Sequence, residues 1–171
     1  MSRKVTVIAD KDTGTVLGAV AEVNAEAALG IPQVVAGTGL PMRKGVPVTL
    51  EVPPGELMTH LAAGDGPLFD PHSYVVVDGV PIPSIRQISS LQVKPNRLIF
   101  GLGVSPPPEV KVKAITRRRS DGVVEVFAVS KINTSQPVAY GVTLRAREYY
   151  DVLVLVEAHQ AHFEENKQAT P

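Results

Sequence analysis

The spacing of glycine and proline constrains this chain more than any other feature of its sequence. Fourteen glycines and 15 prolines are spread over 171 residues and form no repeat. Proline interrupts helices and glycine permits sharp turns, so this distribution disfavours long helices. We therefore predict many short extended segments that are connected by turns.

Between these breaks, apolar and polar residues alternate with the period of two that is typical of half-buried strands. Lys4–Val20 and Val110–Val129 each contain two alternating runs around a polar loop with glycine, which indicates a β-hairpin. The pattern predicts a mostly β fold, either an antiparallel β-sandwich or a partly closed barrel, with about eight to ten strands. Two interpretations of the similar hairpins stay open: they lead two duplicated halves, or they are unrelated.

Two segments favour helix instead. Leu57, Met58 and Leu61 follow a Pro–Gly pair, which predicts a short helix near residues 56–63. Residues 157–168 are permissive for helix and predict a helical tail at the C-terminus. The predicted core consists of Val5, Val7, Val16, Val20, Val75, Val77, Val112, Val124, Val126, Leu144, Val152, Val154 and Val156.

The length suits a single domain that covers residues 1–171. Three consecutive prolines, Pro106–Pro108, cannot join a strand ladder and favour a stiff extended geometry. This segment would divide the chain into lobes 1–104 and 109–171 if the domain has two parts.

Composition excludes several classes of protein. The chain has no cysteine, so it forms neither disulfides nor thiolate metal sites. Seventeen basic residues balance 17 acidic ones, which argues against a surface that is basic throughout. The longest apolar run, Val152–Val156, is far too short to span a bilayer, and the apolar stretch before Asp10 is too short for a signal peptide. We expect a cytoplasmic protein without membrane contact.

The common catalytic motifs are absent as well. The sequence contains no phosphate-binding loop with Gly-Lys-Ser/Thr, no Gly-x-Ser-x-Gly nucleophile elbow and no His-Glu-x-x-His zinc motif. We therefore expect a protein that works without a cofactor.

Residues 59–72 bring two histidines and two aspartates together. One interpretation is a small enzyme in which His60 or His72 acts as general base, oriented by Asp65 or Asp70. The other assigns the Asp–Gly and Asp–Pro pairs to turns and leaves His60 on the exposed side of a short helix. We favour the second interpretation, because Asp–Gly and Asp–Pro are common turn pairs.

A cluster of positive charge follows the three prolines. Lys111, Lys113, Arg117, Arg118 and Arg119 lie within nine residues that contain no acidic residue. Such a basic hairpin would bind nucleic acid, another polyanion or an acidic protein surface. Alternatively it is a solvated outer face whose lysines prevent unwanted edge pairing.

His159 and His162 are the only candidate metal ligands. On a helix, residues three apart share a face, so these two imidazoles would hold one ion together with a neighbouring carboxylate. The competing interpretation, which we favour, is a solvated polar tail without a metal.

Three functions therefore compete. The first is a non-catalytic β-rich interaction or assembly module, which associates with itself or with other protein subunits as part of a homo-oligomer or larger complex. The second is a small enzyme that uses residues 59–72. The third is a binder of nucleic acid or another polyanion through residues 111–119.

Overall fold

The computed structural model describes residues 3–23, 29–30, 39–42, 50–103, 106–135 and 137–171. Within these ranges the fold is mostly β, as predicted, with one short α-helix and two 3-10 turns. The elements are β1 (Arg3–Asp10), β2 (Val16–Val23), β3 (Leu40–Met42), β4 (Leu50–Val52), a 3-10 turn (Pro54–Glu56), β5 (Leu57–Ala62), α1 (Gly66–Phe69), a second 3-10 turn (Pro71–Ser73), β6 (Tyr74–Val77), β7 (Val80–Pro83), β8 (Ile88–Lys94), β9 (Arg97–Leu102), β10 (Glu109–Arg118), β11 (Val124–Asn133), β12 (Val138–Gly141), β13 (Tyr149–Val156) and β14 (His162–Gln168).

All strand pairs in these ranges are antiparallel. The largest sheet has the order β11-β10-β13-β14, and two three-stranded sheets have the orders β2-β1-β5 and β12-β9-β8. Two small hairpins, β3-β4 and β6-β7, complete the set. None of these sheets closes on itself, so the described part of the chain contains no closed barrel.

The two central strands of the four-stranded sheet are buried on both faces. Val112 and Val154 belong to a core cluster shared with β8, β9 and β12. Ile115, Leu153 and Leu155 belong to a second cluster, shared with the first five strands. Because β13 has cover on both sides, it has no solvent face that would need polar residues, which explains its uninterrupted apolar run. Both clusters draw on residues from either side of Pro106–Pro108.

The two helical predictions were wrong. Residues 57–62 form β5, which pairs with β1 from Val5 opposite Ala62 to Asp10 opposite Leu57. Residues 162–168 form β14, which pairs with β13. In both places an available strand edge outweighs a weak local preference for helix, since propensity yields readily to tertiary pairing. No helix of the described residues is long and apolar enough to cross a membrane.

Most of the predicted core is buried, with four exceptions. Val77, Val124 and Val126 are exposed, and Val20 is only partly covered. Val124 and Val126 are exposed because β11 is the edge strand of its sheet. The layer that covers Ile115 of β10 does not extend over β11. The core also contains large residues that the alternation did not indicate, among them Phe100, Tyr140 and Tyr150.

Candidate functional site

A buried lysine in the second half of the chain contacts three carboxylates from the first half. Lys113 Nζ donates to Asp10 Oδ1 at 2.7 Å, to Asp12 Oδ2 at 2.6 Å and to Glu56 Oε2. Lys113 and Asp10 are fully buried, whereas Asp12 and Glu56 are partly exposed. We call these four residues the lysine cage.

Local chain geometry builds the acidic side of the cage. Strand β1 ends at Asp10, whose Oδ2 accepts the backbone N–H groups of Asp12 and Thr13, and the Thr13 hydroxyl, at 2.8–3.1 Å. Side chains of aspartate commonly accept such bonds from the two or three following residues in a turn. Glu56 ends the first 3-10 turn, and Lys11 N donates to its backbone oxygen at 3.0 Å. The turn after β1 and the turn before β5 are thereby fixed against each other.

The three carboxylates of the cage form a cation site, and the ammonium group of Lys113 occupies it. Burial acts to lower the pKa of Lys113, but the hydrogen bonds that it donates to Asp10, Asp12 and Glu56 outweigh burial and raise the pKa above its ordinary value. Oxygens of the three carboxylates lie within 4.8 Å of one another, a spacing suited to a metal ion. Because the ammonium group lies among them and supplies the positive charge, we do not assign a metal here.

A cavity of about 560 Å³ opens beside the cage. It is lined by the turn after β1, by β5, by the β6-β7 turn and by the adjoining ends of β10 and β13. Its ionisable lining residues are Lys11, Asp12, His60, Asp78, Glu109, Lys111 and Glu157. The Nε2 atom of His60 is buried and has no hydrogen-bond partner in the described part of the chain.

The four residues of the predicted His/Asp group do not lie together in the structure. His60 lies on β5 and lines the cavity, but Asp65, Asp70 and His72 are not among the residues that line it. Asp65 lines a separate, smaller depression, and Asp70 accepts a hydrogen bond from the Ser73 hydroxyl. His72 is exposed on the second 3-10 turn. A general-base role for His60 stays a prediction.

Two of the five residues of the predicted basic hairpin are not available at the surface. Lys113 lies in the lysine cage. Arg118 is buried and bonds to Asp121, and its guanidinium holds the pKa of that carboxyl below the ordinary value. The alternation correctly assigned Lys113 to the face of β10 opposite Val112. We expected that face to be solvated, but the first sheet covers it.

The other three basic residues are partly or fully exposed. Lys111 lies 4.0 Å from a Glu157 carboxylate oxygen. Arg117 and Arg119 both approach the buried Asp151, at 3.5 and 3.4 Å. Anion binding there stays a prediction.

His159 and His162 do not share a helical face, because the segment that carries them is a turn followed by β14. His159 is fully buried, and its Nδ1 lies 2.8 Å from the backbone oxygen of Glu157. Burial lowers the pKa of His159, and the nearby charge of Arg86 lowers it further. The hydrogen bond to Glu157 partly offsets these two effects. His162 Nε2 lies 3.2 Å from Glu164 Oε1.

The sequence contains only a faint signal for the lysine cage. The three carboxylates lie 57 to 103 residues from Lys113 in the sequence, so the cage forms no local motif. The signal that exists is the position of Lys113, which has the same parity as Ile115 in the same strand. Comparisons with models of protein families, with curated proteins and with solved structures find no match for this chain.

Proposed function

We propose that this protein is a non-catalytic assembly module that associates head to tail with copies of itself. The observation that carries the proposal is the segregation of charge and exposed apolar side chains into two complementary surfaces. One lies on residues 57–85 and the other on the β10-β11 hairpin.

The first surface, which we call the acidic lobe, comprises residues 57–85. This stretch contains three aspartates and no glutamate, lysine or arginine. Val77 and Val80 pair across the β6-β7 hairpin and are exposed together with Ile82, and Ile85 is 83% exposed. Asp78 lies at the exposed tip of the same hairpin. Exposed apolar side chains that lie on one hairpin beside an acidic residue are typical of a contact site.

The second surface, which we call the basic strip, runs along β11 and the neighbouring part of β10. Residues 109–133 contain six basic and three acidic residues, and four of the basic ones are at least partly exposed: Lys111, Arg117, Arg119 and Lys131. Val124, Val126 and Val129 on the edge strand β11 are 37–39% exposed. A strand such as β11, which lies at the sheet edge among the described residues and exposes valines, is prone to bind another chain.

The pairing of charges within the basic strip favours an acidic partner. Lys111 of β10 lies directly opposite Lys131 of β11, and Arg117 lies opposite Val124. Two like charges that face each other across a strand pair repel. Glu157 lies 4.0 Å from Lys111 and compensates one of them, and a further opposite charge relieves the repulsion that remains. Asp78 of a second copy would supply such a charge, while the valines of the two surfaces cover each other.

Because the two surfaces differ, the contact between copies is heterologous. A heterologous contact leaves one surface of each kind open at the ends of a dimer, so it leads to a ring or to a filament. The exposed apolar area on each side favours association, and the opposite charges favour the correct orientation.

A mixing experiment tests the proposal. Val80→Lys with Ile82→Lys blocks the acidic lobe, and Val124→Asp with Val126→Asp blocks the basic strip. Mass measurements in solution should show concentration-dependent oligomers for the unmodified chain and monomers for each variant. An equimolar mixture of the two variants should form a one-to-one dimer, since each retains one intact surface. Added salt should weaken the association.

Tyr149→Ser provides a matched control, because Tyr149 is comparably exposed on β13 but belongs to neither surface. It should leave the oligomers unchanged. A monomeric unmodified chain at every accessible concentration contradicts the proposal, and so do variants that fail to form the mixed dimer.

A second candidate function, a small enzyme, is favoured by the buried and unpartnered Nε2 of His60 beside a cavity of about 560 Å³. In that case His60 acts as general base on a polar molecule bound in the cavity. Native mass spectrometry of the purified chain tests this role. The role of His60 is supported if a small molecule co-purifies with the unmodified chain and with His72→Gln but not with His60→Gln. A chain that never carries such a molecule contradicts it.

A further inference from the structure

We propose that Lys113 and Asp10 form an intramolecular amide crosslink, so that the lysine cage is a site of self-modification. Nζ of Lys113 becomes bonded to Cγ of Asp10, and one water molecule is released. The crosslink joins β1 to β10 and is independent of the assembly proposed above.

The reacting groups are already in contact. Lys113 Nζ lies 2.7 Å from Asp10 Oδ1, and the exposed fractions of the two side chains are 1% and 0%. Reactions between groups that the fold holds at such a distance gain greatly over the same reaction in solution, because no entropy is lost in bringing them together. Burial also keeps bulk water away from the bond that forms.

The second oxygen of Asp10 lies in an arrangement that stabilises negative charge. Three donors bond to Oδ2: the backbone N–H groups of Asp12 and Thr13 and the Thr13 hydroxyl. When an amine attacks a carboxyl carbon, charge develops on the oxygen that does not leave. Fixed donors directed at that oxygen lower the barrier, as in the oxyanion holes of acyl-transfer enzymes.

Glu56 is positioned to carry the proton. Its carboxylate accepts a hydrogen bond from Lys113 Nζ, and its side chain is partly exposed. Lys11 Nζ lies 3.6 Å from its other oxygen and compensates its charge. A carboxylate that contacts the nucleophile acts as base and then as acid without moving far.

The reaction balances without an added reagent. The Lys113 ammonium first gives a proton to Asp10 Oδ1, which leaves a neutral amine and a carboxylic acid. The amine attacks Cγ, the C–N bond forms and Oδ2 becomes negative. The nitrogen passes a proton to Glu56, and Glu56 returns it to Oδ1. The C–Oδ1 bond then breaks, water leaves and Oδ2 becomes the carbonyl oxygen of the amide.

The buried site favours the neutral product. An ion pair taken out of water loses hydration on both partners, and this cost offsets much of the attraction between them. The amide carries no charge and removes that cost. The reaction consumes one positive and one negative charge, so the local net charge stays at −1. The charges that remain are those of Asp12, Glu56 and Lys11.

Mass spectrometry of the denatured full-length chain tests the crosslink. The unmodified chain, after incubation at neutral pH, should weigh one water molecule less than its sequence mass. Protease digestion should release a branched peptide that joins the segment of Asp10 to that of Lys113, with no cleavage by trypsin after Lys113. Glu56→Gln retains the shape of the side chain and removes the proton acceptor, so it should show the full mass with an unchanged circular dichroism spectrum.

Lys111→Met is the matched control on the same strand and should retain the loss of water. An unmodified chain that keeps its full sequence mass after prolonged incubation overturns the proposal. So does a loss of water that maps to an Asp–Gly pair such as Asp78–Gly79, since such pairs also lose water by forming a succinimide.

Discussion

Lys113 Nζ donates a hydrogen bond of 2.7 Å to Asp10 Oδ1, although 103 residues separate the two along the chain. Asp10 ends the central strand of the first sheet, and Lys113 lies on an inner strand of the largest sheet. The pair therefore joins two layers of the fold at a point that water does not reach. Changes at this pair should affect the whole molecule.

Lys113→Met should lower the free energy of unfolding by about 3–5 kcal/mol, because it leaves buried negative charge without compensation. Lys111→Met, two residues away, should change it by less than about 1 kcal/mol, since its ion pair is largely exposed. Urea unfolding followed by circular dichroism measures both. Equal stabilities of the two variants would show that the cage does not stabilise the fold.

Gly14→Ala should destabilise the protein by at least ~2 kcal/mol. Gly14 has a φ of +71°, and a Cβ atom there would overlap the backbone oxygen of Val76. Val76 N also donates to Gly14 O at 2.7 Å, so the two segments cannot separate without losing this bond. Gly55→Ala is the control, because a Cβ there meets no atom within 4 Å. Thermal melting of the two variants should differ clearly, and similar melting temperatures would contradict the close approach.

Tyr140→Phe should cost about 1–3 kcal/mol of unfolding free energy, the usual effect of leaving a buried acceptor without its donor. The Tyr140 hydroxyl donates to the backbone oxygen of Ala128 at 2.6 Å, next to the irregular pairing in β11. Burial raises the pKa of Tyr140 to about 12, although a backbone hydrogen bond and the charge of Lys113 act to lower it. Tyr149→Phe, at an exposed position, should have no effect. Chemical denaturation of both variants measures their free energies of unfolding, and equal values for the two would contradict the prediction.

The stability of the protein should fall as the pH drops below 6.5, the ordinary pKa of histidine. Burial lowers the pKa of His159, so the unfolded chain takes up a proton more readily than the folded one, and acid favours unfolding. His159→Asn retains a donor for the Glu157 carbonyl and removes the titrating group, so its stability should depend less on pH. His72→Asn, at an exposed site, should behave like the unmodified chain. Urea midpoints at pH 7.5 and 5.5 provide the comparison, and an equal decrease in all three proteins would exclude His159 as the cause.

The sequence predicts the strands far better than it predicts their environment. Alternation located the hairpins around Asp12 and Asp121, because glycine and aspartate define such turns locally. It did not show which face of β11 is covered, so Val124 and Val126 were assigned to the core. Which side of an edge strand is covered depends on how far another layer extends, and no local pattern contains that information.

The candidate site shows the same limit. Lys113 was predicted to be part of a basic hairpin, because the sequence around it contains only positive charges. Its three partners lie in turns far away in the sequence, and only the packing of β1 against β10 brings them together. The strand β5 was missed for a related reason, since its pairing with β1 is not visible in residues 57–62 alone.

The burial of β13 on both faces has a consequence for how the protein is made. Leu153 and Leu155 cover the apolar side of the first five strands, yet the ribosome adds them about 130 residues after the end of β2. Until they emerge, the nascent N-terminal sheet exposes Ile8 and Leu17, which end up in the same cluster. A chain cut short before β13 would keep that surface open, and chaperones rather than solvent would have to cover it.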